Sequence, residues 1–238
     1  MPRCQFSSKK RDLLPENEIA EGVFQCPGGP HFPGCLGSEI YVRVTGGVLF
    51  DYFEKSMDLA AKNFERKNPK EFPTELWLGY RGRTVSNSAR TSFQIYISTE
   101  RPMYWHLRQL THEAFHRVCS TTLKGNWVDE MLAETFAMTK LCDIEPGFQS
   151  EHDIGTFKAR SAGKQISIEE LQNWDLQNRH YGADNGFYNK AYLCGEQLVK
   201  VCGWQRFAKL VNYNSDIEKW LQTLSPSMQL SVRKILSL

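Results

Sequence analysis

The sequence predicts an α+β fold: a small mixed β-sheet packed on two site-bearing helices, followed by a C-terminal helical part. Three observations point there. Short runs at 39–44 and 92–98 alternate apolar and polar residues, the period of a half-buried strand, and 74–80 reads as a further strand. Two segments of helical period, from 103 to 142, flank the turn signal Lys124-Gly125-Asn126. Beyond residue 166 the apolar positions recur with helical spacing alone.

Taken in order, residues 1–37 form an irregular arm rich in Gly, Pro and Cys. Residues 38–143 make an α+β subdomain that carries the chemistry, and 144–238 a helical one. After the strand at 39–44, a helix over 49–68 shows Leu49, Phe53, Met57, Ala60, Ala61 and Phe64 on one face and stops at Asn68-Pro69. Two strands follow. Pro102 then starts a helix at a position where its missing N–H costs nothing. Residues 143–165 read as a polar surface loop. Ser167-Ile168-Glu169-Glu170 has the form of a capping box. A helix over 187–202 with Ala191, Leu193, Cys194, Leu198 and Val201 apolar stops at Gly203, and three shorter helices over 204–212, 216–224 and 227–236 close the chain.

The chemistry is concentrated in 105–136. His112-Glu113-Ala114-Phe115-His116 is an H-E-x-x-H run. Helix positions i and i+4 share a face, so His112 and His116 can both offer an imidazole nitrogen to one metal ion. Glu113 then stands where it can take a proton from a bound water. Met103, Leu107, Leu110, Ala114 and Val118 form an apolar stripe, and at about 100° per residue the histidines fall nearly opposite it. The stripe should be buried and the histidines should face a cleft.

Zinc in a hydrolytic site takes three protein ligands and leaves a position for water. The third ligand is expected from the next helix. There Val128, Met131, Leu132, Thr135, Met138 and Cys142 make the apolar face, and Glu130 and Glu134 lie four apart on roughly the opposite one. One carboxylate can bind metal while the other holds a ligand imidazole from behind.

The run HEAFH at 112–116, followed by WVDEMLAE at 127–134, resembles the gluzincin metallopeptidases, the clan of thermolysin and aminopeptidase N. Their third ligand is a Glu in a segment such as W-L-N-E-G-F-A. The resemblance implies a gluzincin-like catalytic domain with one Zn²⁺ per chain, bound by His112, His116 and Glu130. Glu113 would be the general base, and Glu134 the acidic residue that hydrogen-bonds a ligand histidine. Met131 departs from the family's frequent Gly. The resemblance also implies an edge strand along which a peptide or protein substrate lies, here Phe93, Gln94, Ile95 and Tyr96. It further implies an oxyanion donor from the C-terminal part: Tyr188, which fits the family's Y-x-x-A pattern, or His180 or Tyr181. The two matched regions span about 46–223.

Composition excludes several classes. With 29 basic and 27 acidic side chains the net charge is +2, no electrostatic footprint for nucleic acid. No apolar run approaches the roughly 18 residues of a membrane span. The first residues lack the apolar core of a signal peptide, which points to a cytoplasmic protein. Seven cysteines, four of them in or beside helices, suit reduced and partly buried thiols. Cys26 and Cys35 could instead form a disulfide or a second metal site. Two rival readings stand beside the peptidase: a zinc-bound but latent binding or regulatory module shut by residues 1–37, and an interaction protein in which the motif binds no metal.

Overall fold

The computed structural model describes residues 18–20, 23–25, 40–44, 48–67, 74–80, 86–88, 93–98, 103–119, 127–144, 167–173, 184–214 and 216–238. Eight α-helices lie among them. The first three are α1 (Val48–Asn63), α2 (Met103–Cys119) and α3 (Trp127–Ile144). They are followed by α4 (Ile168–Gln172), α5 (Asp184–Cys202), α6 (Trp204–Ala208), α7 (Ile217–Leu221) and α8 (Pro226–Leu236).

Local chemistry sets several boundaries. Ser167 Oγ accepts from the Glu170 N–H at 3.0 Å while the Glu170 carboxylate accepts from the Ser167 N–H at 2.6 Å, a complete capping box on α4. Gly203, at φ 78°, ends α5. Asp216 caps α7, and Ser225 with Pro226 behind it opens α8. α1 stops earlier than Asn68-Pro69. Glu65 adopts φ 54° and the Arg66 N–H bonds back to the Ala61 carbonyl at 2.9 Å, a left-handed helix stop made without glycine.

Packing radiates from α3, which is buried without interruption from Val128 to Met138. A helix walled on every side is the centre of a fold rather than its surface. One core cluster joins Phe64, Phe115, Met131 and Phe136 to Phe187, Leu198, Trp220 and Leu236. It crosses the expected boundary at 143/144 without a break. A second cluster sets Leu107, Leu110 and Ala114 of α2 against Tyr52, Phe53 and Met57 of α1 and Leu141 of α3.

These clusters correct the expected fold class. Among residues whose side chains are described, 86% are helical and none lies in a strand. The α+β expectation, with a sheet packed on the H-E-x-x-H helix, gives way to a helical fold. Among the described residues, the apolar stripe of α2 packs against another helix, α1.

Extended backbone occurs at Glu18–Ala20, Val23–Gln25, Ile40–Val44, Thr74–Tyr80, Ser86–Ser88 and Phe93–Ser98. Phe93, Gln94 and Ile95 pair with Thr74, Glu75 and Leu76 on one side and with Ser88, Asn87 and Ser86 on the other. Phe93, Gln94 and Ile95 of the expected substrate strand thus have a paired segment on each side. Tyr96 pairs with Trp77.

Residues 1–17, the pair Cys26 and Cys35, His180 and Tyr181 lie outside the described residues. Cys119, Cys194 and Cys202 are free, buried thiols. No helix of the described residues is long and apolar enough to cross a membrane.

Candidate metal centre

α2 and α3 meet at the site. His112 and His116 stand one turn apart on α2, and Glu130 and Glu134 one turn apart on α3. Glu130 falls in the first turn of its helix, where a carboxylate complements the partial positive charge of the helix end, and His116 falls in the last turn of its own.

His112, His116 and Glu130 bring their ligand atoms together, and this group could hold a metal ion. His112 Nε2 lies 3.0 Å from His116 Nε2 and 3.2 Å from Glu130 Oε2, and His116 Nε2 lies 3.4 Å from the same oxygen. The side chains are only 8%, 9% and 7% exposed. Glu130 and Glu134 of α3 lie against the histidine face of α2, where the sequence leads one to expect a cleft. Glu130 Oε2 is buried without a directed hydrogen bond. A cation at the meeting point of the three atoms would satisfy this buried oxygen more fully than its unaligned contacts with the two imidazoles do.

Behind the triad stands Glu134. Its Oε1 is 3.0 Å from His112 Nδ1, an ion-pair contact that is not aligned as a directed hydrogen bond. Its Oε2 accepts from the Arg108 guanidinium. Arg108 precedes His112 by one helical turn and is itself buried. Sequence reasoning missed it. The signal was its i, i+4 spacing to His112, which puts Arg108, His112 and His116 along one face.

The charges shape each other. Burial alone would push the His112 imidazole down, but Glu134 and Glu130 more than reverse this and hold its pKa at about 10. Burial would likewise raise both carboxyls. His116 and His112 outweigh it at Glu130, and Arg108 with His112 outweighs it at Glu134, so both stay well below the usual carboxylate range. A divalent cation could take over the role of the His112 proton, because it faces the same oxygen of Glu130.

The surroundings are packed. Glu113 is buried on α2 next to His112. The Tyr188 ring of α5 stands edge-on to His112, centroids 6.0 Å apart. Phe115, inside the motif, packs edge-on to Phe64 at 4.9 Å. The Tyr52 hydroxyl meets Thr111 Oγ1 at 3.0 Å, tying α1 to the turn that carries His112. Gly195 of α5 lies so close to α3 that a Cβ there would stand 1.8 Å from Thr135 Oγ1. That contact sets how closely α5, and Tyr188 with it, approaches the site.

Compared with family models, with curated proteins and with solved structures, the chain finds no match.

Proposed function

We propose that the chain is a zinc-dependent metallopeptidase of the gluzincin type. The spacing of the three donor atoms carries this reading. Ligands about 2.05 Å from a tetrahedral ion stand about 3.3 Å apart. The donors of His112, His116 and Glu130 are separated by 3.0, 3.2 and 3.4 Å. Two imidazoles and a carboxylate are also a donor set that suits zinc, with a fourth position left over.

Zinc held there would supply Lewis acidity, lowering the pKa of water toward about 7 and polarising a peptide carbonyl. The chain's own groups would do the rest. The Glu113 carboxylate accepts the proton of the attacking water and delivers it to the nitrogen of the leaving amine. Glu134 holds the His112 ring from behind. Tyr188, edge-on to that ring, donates its phenolic hydrogen to the oxygen that gains charge on the scissile carbonyl.

Burial of the triad favours a second reading, a zinc-bound module that does not turn over substrate. One experiment separates the two. Protein purified without added metal is assayed for zinc and for hydrolysis of a diverse peptide pool, before and after chelation. About one zinc per chain with chelator-sensitive cleavage supports the peptidase. Zinc without cleavage supports the latent module. Absence of zinc, with no uptake on titration, overturns both.

A further inference from the structure

We propose that Arg108 is a positioning residue of the metal centre: acting through Glu134, it fixes the His112 ring so that Nε2 faces Glu130 and His116. The inference rests on the metal-centre reading. Three contacts make a continuous chain. The Arg108 guanidinium donates to Glu134 Oε2. Glu134 Oε1 stands 3.0 Å from His112 Nδ1. His112 Nε2 stands 3.2 Å from Glu130 Oε2.

Glu134 thus has both oxygens engaged, one by Arg108 and one by the imidazole. That division of labour distinguishes the two carboxylates of α3, which the helical period alone leaves equivalent. A carboxylate bonded to Arg108 through one oxygen and drawn to the imidazole through the other is directed away from the metal position. The nitrogen it faces is also the one turned from the other donors. Arg108 suits the task better than lysine would, because a planar guanidinium with several fixed donors restrains direction as well as distance. All of this is buried: Arg108 and Glu134 are 9% and 2% exposed, so solvent does not compete for either partner.

A plain structural ion pair between α2 and α3 would look the same in outline, so the test must read the metal. Zinc affinity is measured by competition with a chromophoric chelator for wild type, Arg108→Met, Glu134→Gln and the double variant. Cobalt-loaded samples report ligand geometry through their visible absorption, and thermal unfolding of the metal-free proteins reports the fold. The double variant removes both charges together and leaves no buried carboxylate unpaired, which guards against a single variant that fails to fold.

Each single substitution is expected to weaken zinc binding by roughly 10–100-fold, the range for groups that orient a ligand. The double is expected to fall no further than the weaker single, since both act through one contact. The cobalt bands should shift in Arg108→Met at saturating metal, and Arg108→Lys should recover only part of the affinity. Wild-type zinc affinity and an unchanged cobalt spectrum in Arg108→Met, with only the metal-free stability lowered, would overturn the role of Arg108. So would losses that multiply in the double variant. Failure of wild type itself to bind zinc or cobalt is a different result, and it overturns the metal-centre reading.

Discussion

The Glu134 carboxylate stands 3.0 Å from Nδ1 of His112 and leaves the ring's other nitrogen to the donor triad. The two glutamates of α3 therefore face different nitrogens of one imidazole. Glu130→Gln replaces a charged ligand with a poorer neutral one and should cost more metal affinity than Glu134→Gln, which should stay within about 10–100-fold. Isothermal titration with zinc checks the order. If Glu134→Gln strips the metal and Glu130→Gln does not, the assignment is reversed.

Glu113→Gln removes a proton acceptor with little change in size and touches no ligand. Zinc content should stay near wild type while peptide hydrolysis falls by about 10²–10⁴-fold. A variant that keeps full activity ends the general-base assignment. Tyr188→Phe should also keep zinc, and should lower kcat more than it raises KM, because its hydroxyl matters once charge develops.

Chelation should lower the melting temperature. An ion that binds only the folded state, present at about 100 times its Kd, adds roughly 2.7 kcal/mol. Calorimetry with and without chelator reads this directly, and identical transitions would mean that the triad is empty in solution.

Gly195→Ala should destabilise the protein by roughly 1–3 kcal/mol, because its methyl would stand 1.8 Å from Thr135 Oγ1 and α5 must move off α3. Adding Thr135→Ala should restore part of the loss. Urea unfolding of the single and double variants tests the contact.

Glu65→Gly should stabilise by about 0.5–1 kcal/mol, the left-handed strain relieved less the extra chain entropy of glycine. A melting temperature that falls would show that Glu65 contributes something its backbone strain conceals.

Part of the triad was legible because helical period is geometry: His112 and His116, four apart, meet on one face, whereas period left Glu130 and Glu134 equivalent and only the family resemblance chose Glu130. Arg108 was hidden by its type, since a basic residue on a helix ordinarily lies in water. The layer arrangement was hidden for a different reason. Alternation at 92–98 fixes a local backbone but says nothing about what covers the stripe of Leu107, Leu110 and Ala114, and α1 covers it. The end of α1 escaped because a left-handed stop at Glu65 carries no glycine to announce it. The buried face of α5 was read in part, through Ala191, Cys194 and Leu198, while Phe187, Tyr192 and Cys202 complete it.

The burial of α3 from Val128 to Met138 also sets a clock. Amides in a segment enclosed by its neighbours exchange with deuterium only when the whole assembly opens, whereas those of a surface loop exchange by local fluctuation. Glu130 rides on that enclosed segment. The packing that folds α3 is thus also what places Glu130 opposite the histidines, and a lesion anywhere along α3 is felt as lost folding and lost aim together.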